Sequence, residues 1–299
     1  MRAAIMDLEA FRELLTDAGQ RALEQAVSAR PTEGDALGVL QALRKFHSPA
    51  LAAAALETAL LRQKARDKFP DAAAMYFTRE GLEQSTSAAV ASHRAKRFAP
   101  YGRVADLCCG TGADALALAR AGLTVDAVDL DPLKVAMTAA NAAALGLADR
   151  VNPVAGDARL VPLPGARAAF ADPNRRAAGR RYLAPEDYAP ALSALRARFG
   201  PDFPLGVKIA PGVARTDIPS GAEAEFVSLR GELKECVLWF GPLRGAARRA
   251  TLLPSGAAIS GDCSAGAGPL AGRVGAVVYD PDPAVTRAGL VGALAARLG

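Results

Sequence analysis

Five carboxylates in this chain stand where a backbone element turns or ends. Asp106 lies in the apolar run Val104 to Cys108, four residues ahead of Gly110, and Asp114 follows Gly112 by two. Asp129 follows the apolar run Leu123 to Val128, Asp157 follows Gly156, and Asp172 opens the sequence Asp172-Pro173-Asn174. Four arginines come directly after it: Arg175, Arg176, Arg180 and Arg181. Glycines at 110 and 112 allow a tight turn and let a ligand approach the backbone with no Cβ in the way. With Ala115 in the third position, the spacing is a loose form of a dinucleotide fingerprint, in which a helix N-terminus receives a pyrophosphate. Asp106 before the turn and Asp114 in the first helical turn oppose an anion there. The set suits a ligand that carries positive charge together with a diol, which Asp129 accepts from. His47 and His93 are the only histidines and neither lies in these motifs, so metal or imidazole chemistry is not expected.

The elements that position these residues read as a doubly wound α/β unit. Val104 to Cys108 is a strand buried on both faces. A helix with Leu116 and Leu118 follows and stops at Gly122, and Leu123 to Val128 forms the second strand. Asp131-Pro132 starts the next helix, whose packing stripe is Val135, Ala136, Ala139, Ala140 and Ala143 and which Gly146 ends. Val151 to Val154, Ala166 to Ala171 and Leu205 to Ile209 supply three further strands, the last with Lys208 inside it. In open α/β sheets ligands bind at the carboxyl ends of the strands, where Asp129, Asp157 and Asp172 fall.

DLCCGTGAD (106–114), AVDLD (127–131) and GDA (156–158) resemble the three cofactor motifs of class I S-adenosylmethionine-dependent methyltransferases. The resemblance implies S-adenosylmethionine as cofactor. It implies Asp106, Gly110 and Gly112 at its methionine end, Asp129 on the ribose and Asp157 on the adenine amino group, with Cys108, Leu130 and Ala158 also against it. The lead-in GLEQSTSAAVASHRAKRFAPYG (81–102) resembles that of a bacterial family related to RNA-guanine N2 and trimethylguanosine-type methyltransferases. From it, Phe77, Gln84, Ser85 and Thr86 are expected to cover the methionine end; an ordinary capped helix is the alternative. Amino-methyltransferases place [DN]-P-P-[YFW] after the fourth strand. Asp172 and Pro173 match its first two positions, whereas Asn174 and Arg175 replace the second proline and the aromatic. The resemblance therefore makes Asp172 and the Pro173 carbonyl the catalytic pair. Asn174, Arg175, Arg176, Arg180 and Arg181 become substrate-binding candidates, some of them alternatively ion-paired to Glu186 and Asp187. The segment YDPDPAVTRAGL (279–290) resembles one in a THUMP-like, RNA-associated region. Chains of that family usually continue past it, so the region is expected to be incomplete or reduced here.

The fold class expected is thus α/β: a Rossmann-like doubly wound methyltransferase sheet, an N-terminal helical domain and a small C-terminal α+β region. Residues 1–75 form the helical domain, 76–214 the cofactor-binding domain and 215–299 the THUMP-like region, read as a small antiparallel sheet followed by a strand at 274–279 and a terminal helix over 285–298. A hydrophobic content of 51% in 299 residues is ample for such cores. Of the net charge of +5, residues 76–214 carry 17 basic against 13 acidic side chains, while residues 1–75 balance at ten each. That modest excess is compatible with a polyanion without demanding one. The basic patch at 62–69 reads chiefly as a solvated helix face. Cys108, Cys109, Cys236 and Cys263 lack metal-ligand spacing and are expected to be reduced, as in the cytoplasm. No apolar run approaches the ~18 residues of a membrane span. Methyl transfer to a nitrogen of RNA is the expected reaction. Methylation of a protein or small acidic metabolite, or non-catalytic RNA binding on a retained cofactor fold, are the rivals.

Overall fold

The computed structural model describes residues 6–177, 180–262 and 277–298. Cys263, residues 274–276 of the strand expected at 274–279 and the terminal Gly299 lie outside these residues, and residues 277–279 of that expected strand take no regular secondary structure. Four helices open the chain: α1 (Leu8–Leu14), α2 (Asp17–Ser28), α3 (Ala36–Leu43) and α4 (Pro49–Lys64). Asp7, Thr16 and Ser48 cap α1, α2 and α4 with side-chain oxygens that accept from the first turn. The alanine- and leucine-rich α4 is buried over most of Leu51 to Leu61 and forms the centre around which the other three pack.

Two short elements lead into the sheet, α5 (Arg79–Gln84) and α6 (Ala88–Phe98). Then β1 (Arg103–Leu107), α7 (Ala113–Arg120), β2 (Thr124–Asp129), α8 (Pro132–Ala144), β3 (Val151–Ala155) and β4 (Ala168–Ala171) follow in order. A two-residue hairpin, β5 (Arg176–Ala177) with β6 (Arg180–Arg181), precedes α9 (Leu192–Phe199) and β7 (Leu205–Ile209). The chain continues through β8 (Glu223–Leu229), β9 (Glu232–Phe240), β10 (Arg248–Leu253), β11 (Ala257–Gly261), α10 (Pro283–Ala288) and α11 (Val291–Leu298). Gly289, at φ +73°, divides the stretch expected as one terminal helix into these last two.

The strand order is β11-β10-β8-β9-β7-β4-β1-β2-β3 in a single nine-stranded sheet. β3, β2, β1, β4 and β7 are mutually parallel, and β9 enters antiparallel between β7 and β8. The alternating runs after residue 215 do not make a small sheet of their own. Their inward positions (Phe226, Val237, Leu238, Trp239) are apolar enough to be buried on both faces, and they extend the central sheet. Trp239 packs beside Phe98 and lies over Gly206, where any Cβ would stand 2.7 Å from the indole ring. Its Nε1 donates to Glu225, 2.8 Å away.

Successive residues of β1 serve opposite layers. Val104 joins the core shared with α6 and α7, whereas Ala105 and Leu107 join the one under α9 and α10. The chain leaves β1 toward β2 on one side and returns as β4 on the other, so a crevice opens at the carboxyl ends of β1 and β4. Among the described residues, no helix is long and apolar enough to cross a membrane. Nor does any group of three or more His, Cys, Asp or Glu among them offer a metal site.

Candidate active site

That crevice is a cleft of about 1090 Å³. Its floor begins with the turn after β1. Cys108 takes φ +60° and Gly110 φ +57°, and a Cβ built on Gly110 would meet nothing, because it would point into open space. Gly112, at φ +89°, is glycine for another reason: its Cβ would stand 2.9 Å from Thr138 Cγ2 of α8. Gly112 thus shapes the turn without lining the cleft. Asn141, fully buried on α8, fixes the turn to the lead-in. It accepts from Tyr76 N (2.6 Å) and donates to Tyr76 O (3.0 Å) and Thr111 O (2.9 Å).

At the end of β2, Asp129 Oδ2 accepts from Gly110 N at 2.9 Å and Oδ1 from Asp131 N at 3.0 Å. Each oxygen retains a lone pair for a hydroxyl donor. Leu130 beside it is 72% exposed on the cleft rim. Asp157 and Ala158 line the next part of the wall. Arg159 grips the Asp157 carboxylate through Nε and Nη2, the latter at 2.6 Å, and holds it at about 2, below the ordinary carboxylate range.

Asp106 is 1% exposed, lines the cleft, and neither of its oxygens has a well-formed hydrogen bond. Burial, then the charge of Asp114, push its carboxyl well above the ordinary range. The Thr111 hydroxyl, also buried against the cleft, has no partner either. Asp114 is not free to repel an anion by itself, since it pairs with Arg94 of α6, which also pairs with Glu235 of β9. Desolvation opposes the Arg94 charge, but the two carboxylates outweigh it and raise its pKa.

Asp172 lies just past β4, its N–H donating to Leu107 O of β1. Its Oδ2 accepts from Lys208 Nζ at 2.7 Å, and the same ammonium donates to Thr86 Oγ1 at 3.0 Å. Lys208 sits on β7, 5% exposed, and joins the lead-in to the Asp172 carboxylate. Neither Lys208 nor the Arg94–Glu235 pair was assigned a role on sequence grounds. The available signals were a single charge inside the apolar strand LGVKI and, in ELKECVLWF, Glu235 directly before the apolar run.

Gln84, Ser85, Thr86, Pro173, Asn174 and Arg175 all border the cleft. Phe77 does not: it is buried beside Phe69, 5.4 Å between ring centres, in the core behind the turn. Asn174 pairs by backbone with Ala189, and Arg175 Nη1 is buried without a partner. The Tyr188 hydroxyl donates to Leu183 O and accepts from Ala210 N, both at 3.1 Å. Arg176, Arg180 and Arg181 supply the backbone of the β5–β6 hairpin, and their side chains lie outside the described residues.

A family model described as a methyltransferase domain matches residues 104–173, the turn through to Asp172-Pro173. Another, described as a domain of unknown function (DUF8688), matches residues 7–65 in the helical domain. An uncharacterized S-adenosylmethionine-dependent methyltransferase of Mycobacterium tuberculosis, found in two strains, is 38% identical over 263 residues. The match spans 82% of this chain and 69% of the relative. The chain belongs to the S-adenosylmethionine-dependent methyltransferases. S-adenosylmethionine is accordingly the cofactor of this methyltransferase. A crystal structure from Porphyromonas gingivalis, of a protein assigned as a methyltransferase, superposes with a TM-score of 0.67. It covers 89% of this chain and 75% of its own at 20% identity, so the likeness is one of fold.

Proposed function

We propose that the methyltransferase acts on a nitrogen of RNA, with Asp172 and the Pro173 carbonyl at the point of transfer. The observation that carries this reading is the Asp172 carboxylate at the cleft, its Oδ2 held by Lys208 and its Oδ1 left for one further donor. The residues present fit the cofactor. Asp106, with two unsatisfied acceptor oxygens, suits the ammonium of its amino-acid end, and the unpartnered Thr111 hydroxyl suits the carboxylate. Asp129 would take the ribose hydroxyls, and the exposed Leu130 would lie against the purine, with Ala158 and Asp157 beyond. When bound, the cofactor supplies a methyl group on a sulfonium leaving group. The protein then has to align the acceptor and exclude water, a contribution worth about 7–11 kcal/mol. Asp172 Oδ1 accepts one N–H of the acceptor and directs its lone pair inward, and Lys208 holds the carboxylate stationary.

Arg175 supports the RNA assignment, since its buried Nη1 lacks an acceptor that a phosphate would provide, and its planar face suits a base. A second reading has its own support. The cleft walls carry many acids beside Lys68, Arg159, Arg175, Arg230 and Lys234, so the lining is not uniformly basic. A small acidic acceptor, its carboxylate on Arg175, fits that distribution. Binding of total RNA at rising salt separates the two. Several phosphate contacts give a steep loss of affinity with salt, whereas a single carboxylate gives a shallow one.

A further inference from the structure

The cleft is larger, at about 1090 Å³, than the roughly 300–1,000 Å³ of a site for one small ligand, so it has room beyond the cofactor. Asp157, Asp129 and Asp106 come from the β3, β2 and β1 side of the sheet and Asp172 from β4, whereas the far wall is built by β8, β9 and the lead-in. Two irregularities of the β8–β9 hairpin fall on that wall. Leu229 pairs with Glu232, which leaves Arg230 and Gly231 as a two-residue turn at φ +55° and +78°. Such a turn needs φ > 0 at both positions and favours Asn, Asp or Gly at the first, so a left-handed arginine is the strained choice. Next to it, Val227 pairs with Glu235 but Ser228 with Leu233, so Lys234 is the extra residue of a β-bulge, a device that re-aims a side chain. Both cationic residues line the cleft. We propose that the β8–β9 hairpin is a phosphate-binding element, whose Arg230 and Lys234 hold the backbone of an RNA acceptor at a nucleotide flanking the one presented to Asp172. The inference rests on the RNA reading of the acceptor and adds to it the element that recognises a polymer.

The register sets the distance. Asp172 follows Ala171, which pairs with Val207, so it is level with Lys208, Val237 and Glu225 across the sheet. Arg230 is five residues past Glu225, about 15 Å beyond that level at 3.3 Å per residue. A group held there is remote from the reacting nitrogen. A small acid seated on Arg175 does not reach it, whereas a polynucleotide does. The tip is fixed in place: Arg230 N donates to Leu253 O at 2.9 Å, and Leu229 packs against Val90, Val227 and Leu253. Lys234 meets Glu232 at 2.7 Å in an exposed pair, which a phosphate can replace at small cost. On the opposite wall Lys68 donates to Leu82 O, Glu83 O and Ser85 O. Burial, then the charges of Lys208 and Lys234, lower its pKa, so the three ammonium groups share one field. Asp67 and Glu83 also border the cleft, but among the described residues neither forms an ion pair with these cations.

Arg230→Asn separates the proposal from a defect of folding, because asparagine suits the left-handed position better than arginine. The full chain is titrated with a short, labelled single-stranded RNA of mixed sequence, by fluorescence anisotropy with S-adenosylhomocysteine present, over a series of salt concentrations. Guanidinium denaturation and calorimetry with S-adenosylhomocysteine accompany each variant. Arg230→Asn should unfold at an equal or higher denaturant concentration and bind S-adenosylhomocysteine as the wild type does. Its RNA affinity should nonetheless fall about tenfold, with the plot of log affinity against log salt shallower by about 0.7, the value for one phosphate contact on a single strand. Arg230→Lys keeps the charge in the strained turn and should recover the slope. Adding Lys234→Gln to Arg230→Asn should remove about 0.7 more. RNA affinity and slope unchanged in Arg230→Asn, or lost equally in Arg230→Lys, would overturn the proposal. Failure of the wild type to bind the RNA at all would instead overturn the RNA reading of the acceptor.

Discussion

Replacing Lys208 by methionine should expose how the Asp172 carboxylate is held. The side chain of Lys208 is almost wholly buried on β7, whereas that of Asp172 retains 24% exposure, and the two meet at 2.7 Å. Removing one partner of a fully buried pair costs about 3–5 kcal/mol, because the other charge is left uncompensated. Water can still reach Asp172 from the cleft, so about 2–3 kcal/mol is expected here. Thr86 also loses its donor, which loosens the lead-in where it borders the cleft. Guanidinium denaturation of wild type, Lys208→Met, Asp172→Asn and the double variant forms a complete cycle that isolates the pair. The account requires a coupling of about 2 kcal/mol, with Lys208→Arg recovering part of the loss. A coupling below about 0.5 kcal/mol, comparable to an exposed ion pair, would refute the claim that Lys208 fixes Asp172.

Asp129→Ala should weaken cofactor binding about 30- to 100-fold by calorimetry, since charge-assisted hydrogen bonds to two hydroxyls and the support of Gly110 N–H are lost together. Gly112→Ala should destabilise the fold by about 2–4 kcal/mol in denaturant, combining a left-handed backbone with a clash against Thr138, whose hydroxyl is engaged by Gly110 O. Glu225→Gln should cost about 2–3 kcal/mol at neutral pH. Burial opposes the Glu225 charge, but hydrogen bonds from His93 and Thr251 and the charge of Arg97 hold its pKa at about 2. Its contribution is therefore complete above the ordinary glutamate pKa near 4.5 and is lost as the pH falls toward 2, so the difference between variant and wild type should shrink across that window in acid denaturation.

Much of the sheet was legible because its signals are local. An apolar run ending in a carboxylate, a glycine turn and an alanine-rich helix specify β1, α7 and β2 with little help from elsewhere, and the motifs fall at the carboxyl ends where the structure opens a cleft. What escaped depends on contacts distant in sequence. The strands at 223–261 look short and alternating in isolation, and only their insertion beside β7 shows that they continue the main sheet. Lys208 and Asp172 lie 36 residues apart and Arg94 and Glu235 lie 141 apart, so no spacing rule joins them. Phe77 illustrates the reverse error of proximity: it is next to the lead-in residues that border the cleft, yet its ring turns into the core against Phe69. The adenine amino donor expected for Asp157 rests on the motif alone, and the side chain that occupies its carboxylate instead is a local one, Arg159 two residues on.

The most direct test of the account is transfer of labelled methyl from S-adenosylmethionine to total RNA, followed by digestion to nucleosides and mass analysis, with Asp172→Ala in parallel. The account predicts an N-methylated nucleoside whose yield collapses in the variant while cofactor binding persists. Label found only in protein or small molecules, or turnover undiminished in Asp172→Ala, would contradict it.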